Sequence, residues 1–259
     1  GFGFQLTFFR FGVETPAEPE SAWGAGQIYL AHLTLSDIEA GEFFKTERLN
    51  RAGPGLAGAD LSQARVWNGN WEVEWLEPAD PLGTQRLRAV SGEFSLEFEL
   101  TPLKAAIIHG QNGVSQKAAG EGKASHYVSF TRLAAEGAIT RRGQTFQVTG
   151  LAWMDHEFST DSMAEGQLGW DWMSIQLSNN TELMLYRMRR SGGLADPHSS
   201  GTFVDQHGRA LHLPWRDIEM QPSQAWTSPR TGARYPLEWK ISIPRLRLSL
   251  ESRTPLPHQ

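Results

Sequence analysis

Residues 150–177 read GLAWMDHEFSTDSMAEGQLGWDWMSIQL and set an acid, an imidazole and a second acid in succession at Asp155, His156 and Glu157. An indole–acid–indole triplet follows at Trp170, Asp171 and Trp172. A carboxyl group in partly apolar surroundings keeps its proton to higher pH and can act as an acid. A neighbouring imidazole can take a proton, and aromatic faces stabilise a cation by roughly 0.5–2 kcal/mol each. Burying such groups is costly unless each finds a partner. The segment therefore reads as the wall of a pocket, with Asp155, His156, Glu157 and Asp171 as candidate catalytic groups. Trp153, Phe158, Trp170, Trp172 and Tyr186 are the candidate substrate-binding side chains.

Other chemistries fit the residues less well. His156-Glu157 begins an H-E-x-x-H pattern, but Thr160 stands where the second histidine belongs. In a strand, moreover, Asp155 and Glu157 point one way and His156 the other, so the three cannot converge on one ion. No metal site is expected, and no cofactor is called for. Residues 53–58, GPGLAG, match G-x-G-x-x-G, yet that fingerprint needs a buried strand before it and a helix after it. Here the preceding residues 45–52 are charged, so a nucleotide site is not expected. There is no Cys and no G-x-S-x-G elbow, which leaves ester or amide hydrolysis without a nucleophile. Arg187, Arg189 and Arg190 read as a solvated strand end. Asn179-Asn180-Thr181 is a formal glycosylation sequon, but hairpin-turn chemistry suffices for it. The net charge of −5 offers no basic face for nucleic acid. No apolar run approaches the roughly 18 residues of a membrane-spanning helix.

The elements that must position these groups are strands. The hydrophobic content of 39% with 10 Trp supports a sizeable core, and period-two alternation dominates. Phe2, Phe4, Leu6 and Phe8 share one face of a first strand. Further strands are expected over 27–35, 65–76, 86–100, 125–133, 137–149, 151–158, 169–177, 182–190, 201–205, 209–213 and 237–251. Turns at Asn68-Gly69, Asn179-Asn180, 191–193 and 206–208 separate them. Met154, His156 and Phe158 fall on one face of their strand, with Trp153, Asp155 and Glu157 on the other. Trp170, Trp172, Ser174 and Gln176 share a face, as do Met184, Tyr186 and Met188. Helix is scarce: 36–39 has capping-box form, but Gly41 follows too soon for a long helix. The Gly/Ala-rich runs 51–59 and 110–123 read as long loops of the kind that often bind ligands.

Six segments together resemble a known family: FGFQLTFFRF (2–11), RVWNGNWEVEW (65–75), GLAWMDHEFST (150–160), GWDWMSIQL (169–177), TELMLYRMR (181–189) and WTSPRTGARYP (226–236). They are similar to the lipocalin-like family of hydroxyneurosporene synthases, or carotenoid 1,2-hydratases, whose bacterial members are labelled AttH-like or predicted secreted hydrolases. The resemblance implies an all-β fold of two tandem lipocalin-like (calycin) antiparallel barrels, spanning 1–162 and 163–259. Family members carry a strand before the equivalent of Phe2 and several after the equivalent of Pro257, so an incomplete second barrel is expected. Export to the periplasm or beyond the cell is also implied. The hydratase branch pairs its motif histidine with an acid near a tyrosine on a later strand. Here Tyr186 is followed by Arg187 and Met188, so His156 and Tyr186 carry over and the acid does not.

Two functions follow as expectations. One is a site for an apolar isoprenoid- or polyketide-like molecule with hydratase-type lyase chemistry, in which a buried carboxyl protonates a C=C bond and His156 takes a proton from the incoming water. The other is a non-catalytic, exported lipid- or pigment-binding protein whose barrel holds one small hydrophobic ligand.

Overall fold

The computed structural model describes residues 1–13, 26–159 and 163–256. Thr160 and the boundary expected at residue 162 fall outside that set. The described residues form strands almost throughout. They divide into two compact units, Gly1–Pro102 with Ala134–Ala152, and Leu103–Leu133 with Trp153–Gln259. The division is not a single cut in the chain.

In the first unit β1 (Phe2–Gly12), β2 (Gln27–Asp37) and β3 (Glu42–Arg51) form an antiparallel sheet in the order β1-β2-β3. A meander follows through β4 (Ala57–Asp60), β5 (Arg65–Asn68), β6 (Trp71–Trp75), β7 (Gln85–Val90) and β8 (Phe94–Pro102). Alternation sets the core: Phe94, Leu96, Phe98 and Leu100 of β8 are buried while the residues between them face outward. Phe4 stacks on Phe98 with ring centroids 4.9 Å apart. The expected hairpin forms one residue further on, with Asn68 paired to Trp71 and the turn at Gly69-Asn70, Gly69 at φ +64°.

The second unit begins with the short strands β9 (Ile107–Ile108) and β10 (Ser115–Gln116). Both pair with the first half of the long strand β11 (Ala124–Arg141), and β12 (Gln144–Phe158) pairs with β11 in turn. Then come β13 (Gln167–Gln176), β14 (Glu182–Arg190), β15 (Ser200–Val204) and β16 (Ala210–Pro214), hydrogen-bonded in sequence. β17 (Glu219–Thr227), β18 (Arg234–Ile243) and β19 (Leu248–Arg253) close the chain as a three-stranded sheet. One face of β14 sends Leu183 and Leu185 into a core with Leu213, Ile218, Trp239 and Ile241. Its other face sends Met184, Tyr186 and Met188 against Tyr127 of β11 and Trp153 of β12.

Several boundaries differ from the sequence expectation. Spans 125–133 and 137–149 are not two strands: β11 runs through Gly137, and the turn falls at Arg142-Gly143, both at positive φ (51° and 78°). Gly137 is not a break but a close approach, since a Cβ there would lie 2.0 Å from the Glu97 carbonyl oxygen. Residues 36–39 form no helix; Ser36 and Asp37 end β2, and the Asp37 carboxylate accepts the Ala40 N–H at 3.0 Å to cap a turn. The G-x-G-x-x-G match spans a turn and the start of β4. Its last glycine, Gly58, lies under the Trp67 ring, where a Cβ would come within 2.5 Å. Strands β3, β4, β9, β10 and β17 lie outside the expected spans, while 65–76 is divided between β5 and β6, 86–100 between β7 and β8, and 237–251 between β18 and β19.

Candidate functional site

In the second unit, β11 and β12 present their inward faces to the same space. Along β11, Ser125, Tyr127, Ser129 and Thr131 alternate inward and are all buried. Along β12, Trp153, Asp155 and Glu157 face them. The Asp155 carboxylate accepts a short hydrogen bond from the Ser129 hydroxyl and one of 2.8 Å from Trp153 Nε1. Tyr127 Oη accepts the Trp172 indole N–H at 3.0 Å. One turn of the strand further on, Glu157 accepts from Ser125 Oγ at 2.5 Å and pairs with Lys117 Nζ at 2.9 Å. The Lys117 ammonium also lies 4.0 Å from the centre of the Tyr186 ring and 5.2 Å from that of Tyr127.

Behind Ser129 sits His109, which is 0% exposed. Its Nε2 lies 2.8 Å from Ser129 Oγ, its Nδ1 lies 2.9 Å from Thr202 Oγ1, and its ring packs 4.4 Å from that of Tyr127. Burial, aided by the Lys117 charge, pushes its pKa down from 6.5 to about 4, so the ring is neutral at ordinary pH. Burial likewise pushes the Tyr127 phenol upward, and the Asp155 charge adds to the effect. Asp155 keeps contact with solvent at the strand end, but the protein packed around its carboxyl raises its pKa. That loss of hydration outweighs the hydrogen bonds it receives, and the nearby Glu157 charge acts in the same direction. The arrangement favours the protonated form of a carboxyl hydrogen-bonded to the Trp153 indole.

The expected residues are brought together only in part. Trp153, Asp155, Glu157, Trp172 and Tyr186 belong to this inward face. Tyr186 Oη is locked against the backbone carbonyls of Gln116 (2.9 Å) and His198 (3.2 Å), which ties down the chain rather than facing a substrate. His156 leaves the group: it is exposed on the opposite face of β12, its ring 5.7 Å from Phe158, which also packs 5.2 Å from His126. Strand alternation puts it there, and it cannot serve the Asp155 carboxyl from that side. Asp171 points to the other face of β13, held by Arg187 at 2.7 Å, while Arg187 lies over Trp239. Trp170 shares the Trp172 face but is 57% exposed. The inward face is filled by Tyr127, Met184, Tyr186 and Met188 instead of lining an open apolar cavity. The space beside Lys117, bounded by Ala118, Met163 and Gln167, is only about 10 Å3. That is room for about one water. An open depression of about 480 Å3 in the first unit, bordered by Glu99, Glu136 and Gln147, contains none of the expected residues.

Sequence reasoning missed His109, Lys117, Tyr127 and Ser129. The Ser125/Tyr127/Ser129/Thr131 alternation was visible, but a polar face at period two ordinarily reads as the solvent side. Among the described residues, no group of three or more His, Cys, Asp or Glu is placed to hold a metal ion, and no helix is long and apolar enough to cross a membrane.

Fold and site together define an all-β, lipocalin-like protein with a curled half-barrel sheet and a polar network that runs from a solvent-reachable carboxyl to a buried imidazole. A family model described as AttH-like matches residues 1–259, and the chain belongs to that family. The crystal structure of an AttH protein from Nitrosomonas europaea superposes with a TM-score of 0.79 at 30% identity, covering 93% of this chain and 72% of that one. Kievitone hydratase from Nectria haematococca superposes with a TM-score of 0.66 at 16% identity, covering 83% of this chain and 64% of that one, a likeness of fold. No curated protein matches the sequence.

Proposed function

We propose that this AttH-like protein binds an apolar isoprenoid- or polyketide-like molecule against Trp153 and Trp172 and adds water across a C=C bond, with Asp155 as the acid. The observation that carries this reading is the Asp155 carboxyl itself, solvent-reachable yet raised in pKa by burial and hydrogen-bonded to the Trp153 indole and the Ser129 hydroxyl. The Asp155 O–H bond breaks as the alkene π pair takes the proton to form a C–H bond. The tertiary cation left behind is stabilised by the aromatic faces. Water then forms the C–O bond, and its surplus proton returns to the Asp155 carboxylate, so the acid is regenerated. The fold shared with a hydratase agrees with this chemistry. The motifs that resemble hydroxyneurosporene synthases make acyclic carotenoids part of the substrate range to try.

The test is incubation with prenylated phenols, acyclic isoprenoids and acyclic carotenoids, followed by mass spectrometry. A product heavier by one water, absent with Asp155→Asn, is the expected result. Product formed equally well by Asp155→Asn would remove Asp155 from the mechanism. The second reading, a non-catalytic lipid or pigment binder, draws on Arg187 and Met188, which follow Tyr186 where the hydratase branch has its acid. Bound ligand recovered unaltered would favour it.

A further inference from the structure

Four groups of the second unit stand in a line of hydrogen bonds: Asp155, Ser129, His109 and Thr202. Ser129, His109 and Thr202 are buried, so none can turn to bulk water for a partner. A hydroxyl carries one proton and a neutral imidazole one N–H, which leaves two ways to fill every link. With Asp155 ionised, Ser129 donates to the carboxylate and accepts from His109 Nε2–H, and Nδ1 accepts from Thr202. With a proton on the Asp155 oxygen that faces Ser129, Ser129 accepts it and donates to Nε2. His109 then carries its hydrogen on Nδ1 and donates to Thr202.

The other donors at the carboxyl cannot reverse in this way. Trp153 Nε1 is a donor only. Tyr127, beside the carboxyl, already accepts at its Oη from the Trp172 indole, another obligate donor. Only the Ser129 branch ends in a group, the imidazole, that can exchange donor for acceptor at both ends.

We infer that His109 is a positioning residue whose tautomer follows the protonation of Asp155 through Ser129. It lets the carboxyl lose and regain its proton without stranding a buried partner. The imidazole holds one N–H in both arrangements; the additional proton resides on Asp155 and comes from water. The groups that face the line are Lys117 and Tyr127 beside His109, and Glu157 beside Asp155. Because burial holds His109 down to about 4, the ring stays neutral, and free to adopt either tautomer, above that pH. The catalytic use of the switch rests on the hydratase reading, but the switch itself is a property of the resting protein.

The experiment is two-bond 1H–15N spectroscopy of the full chain with 15N-labelled histidine, followed from about pH 8 down to about pH 4.5, where the His109 ring itself stays neutral. His109→Gln assigns the signal. At the upper end the unprotonated nitrogen should be Nδ1; as Asp155 takes up its proton, the unprotonated signal should move to Nε2. Asp155→Asn and Ser129→Ala should each abolish that movement. A single tautomer throughout in the parent protein, or a movement that survives Asp155→Asn, overturns the inference. Because no turnover is needed, a switch without hydration would refute only the proposed function, and hydration without a switch would refute only the relay.

Discussion

Replacing Glu182 by Gln keeps the side-chain shape and deletes one charge from a dry cluster. Glu182 opens β14, is 0% exposed, and receives Lys104 Nζ at 2.8 Å on one oxygen and Arg132 Nε at 2.5 Å on the other. Both cations are nearly buried as well and lean on backbone carbonyls: Lys104 on Asn180 (2.6 Å) and Asp205 (2.9 Å), Arg132 on Leu177 (3.0 Å). With Gln, one cation would meet an amide NH2 donor to donor, and two positive charges would remain out of water with no anion. Breaking a buried pair from one side costs about 3–5 kcal/mol, far above the roughly 0–1 kcal/mol of exposed pairs. At about 2–4 °C per kcal/mol for a domain of 150–250 residues, the melting point of the second unit should fall by roughly 6–20 °C. Urea unfolding read by circular dichroism, with hydrogen exchange of the β14 amides to assign the loss, measures it. A loss below about 1 kcal/mol would mean that water reaches the cluster, and the burial argument would fail.

The His109 pKa is lowered from 6.5 to about 4 in the folded state, so the unfolded chain binds the proton first and stability should fall as pH drops through that window and then level off. The shift corresponds to roughly 3 kcal/mol; urea midpoints against pH should show the slope, and His109→Gln should remove it. Gly137→Ala would drive a Cβ to 2.0 Å from the Glu97 carbonyl oxygen, forcing β8 and β11 apart. A cost of about 3 kcal/mol or more is expected in equilibrium unfolding, and an unchanged midpoint would contradict that contact. Trp172→Phe removes the donor to Tyr127 Oη and should cost about 1 kcal/mol while altering the near-ultraviolet signal of the tyrosines.

Period-two alternation made the all-β class legible, and it sorted β12 correctly into a Trp153/Asp155/Glu157 face and a His156/Phe158 face. Asn68-Gly69 marked its hairpin because Gly69 takes the positive φ the turn requires, the turn itself falling at Gly69-Asn70 with Asn68 closing β5. Alternation tells which residues share a side but not which side will be covered, since cover comes from segments remote in the chain. Hence the polar face of β11 lies inward, against β14, where its serines and tyrosine look like a solvated edge when read alone. Gly137 passed for a strand break because its reason, the Glu97 carbonyl, lies in another strand. Asp171 looked available until the β13–β14 register set it opposite Arg187. His109 had no local signature: it comes from a loop region far from Asp155 in sequence, and it joins that carboxyl through the buried Ser129 hydroxyl only once β9 pairs with β11. Local spacing determined the strands and their faces; the choice of inward face and the partners of each buried polar group were decided by long-range packing, which no short stretch of residues encodes.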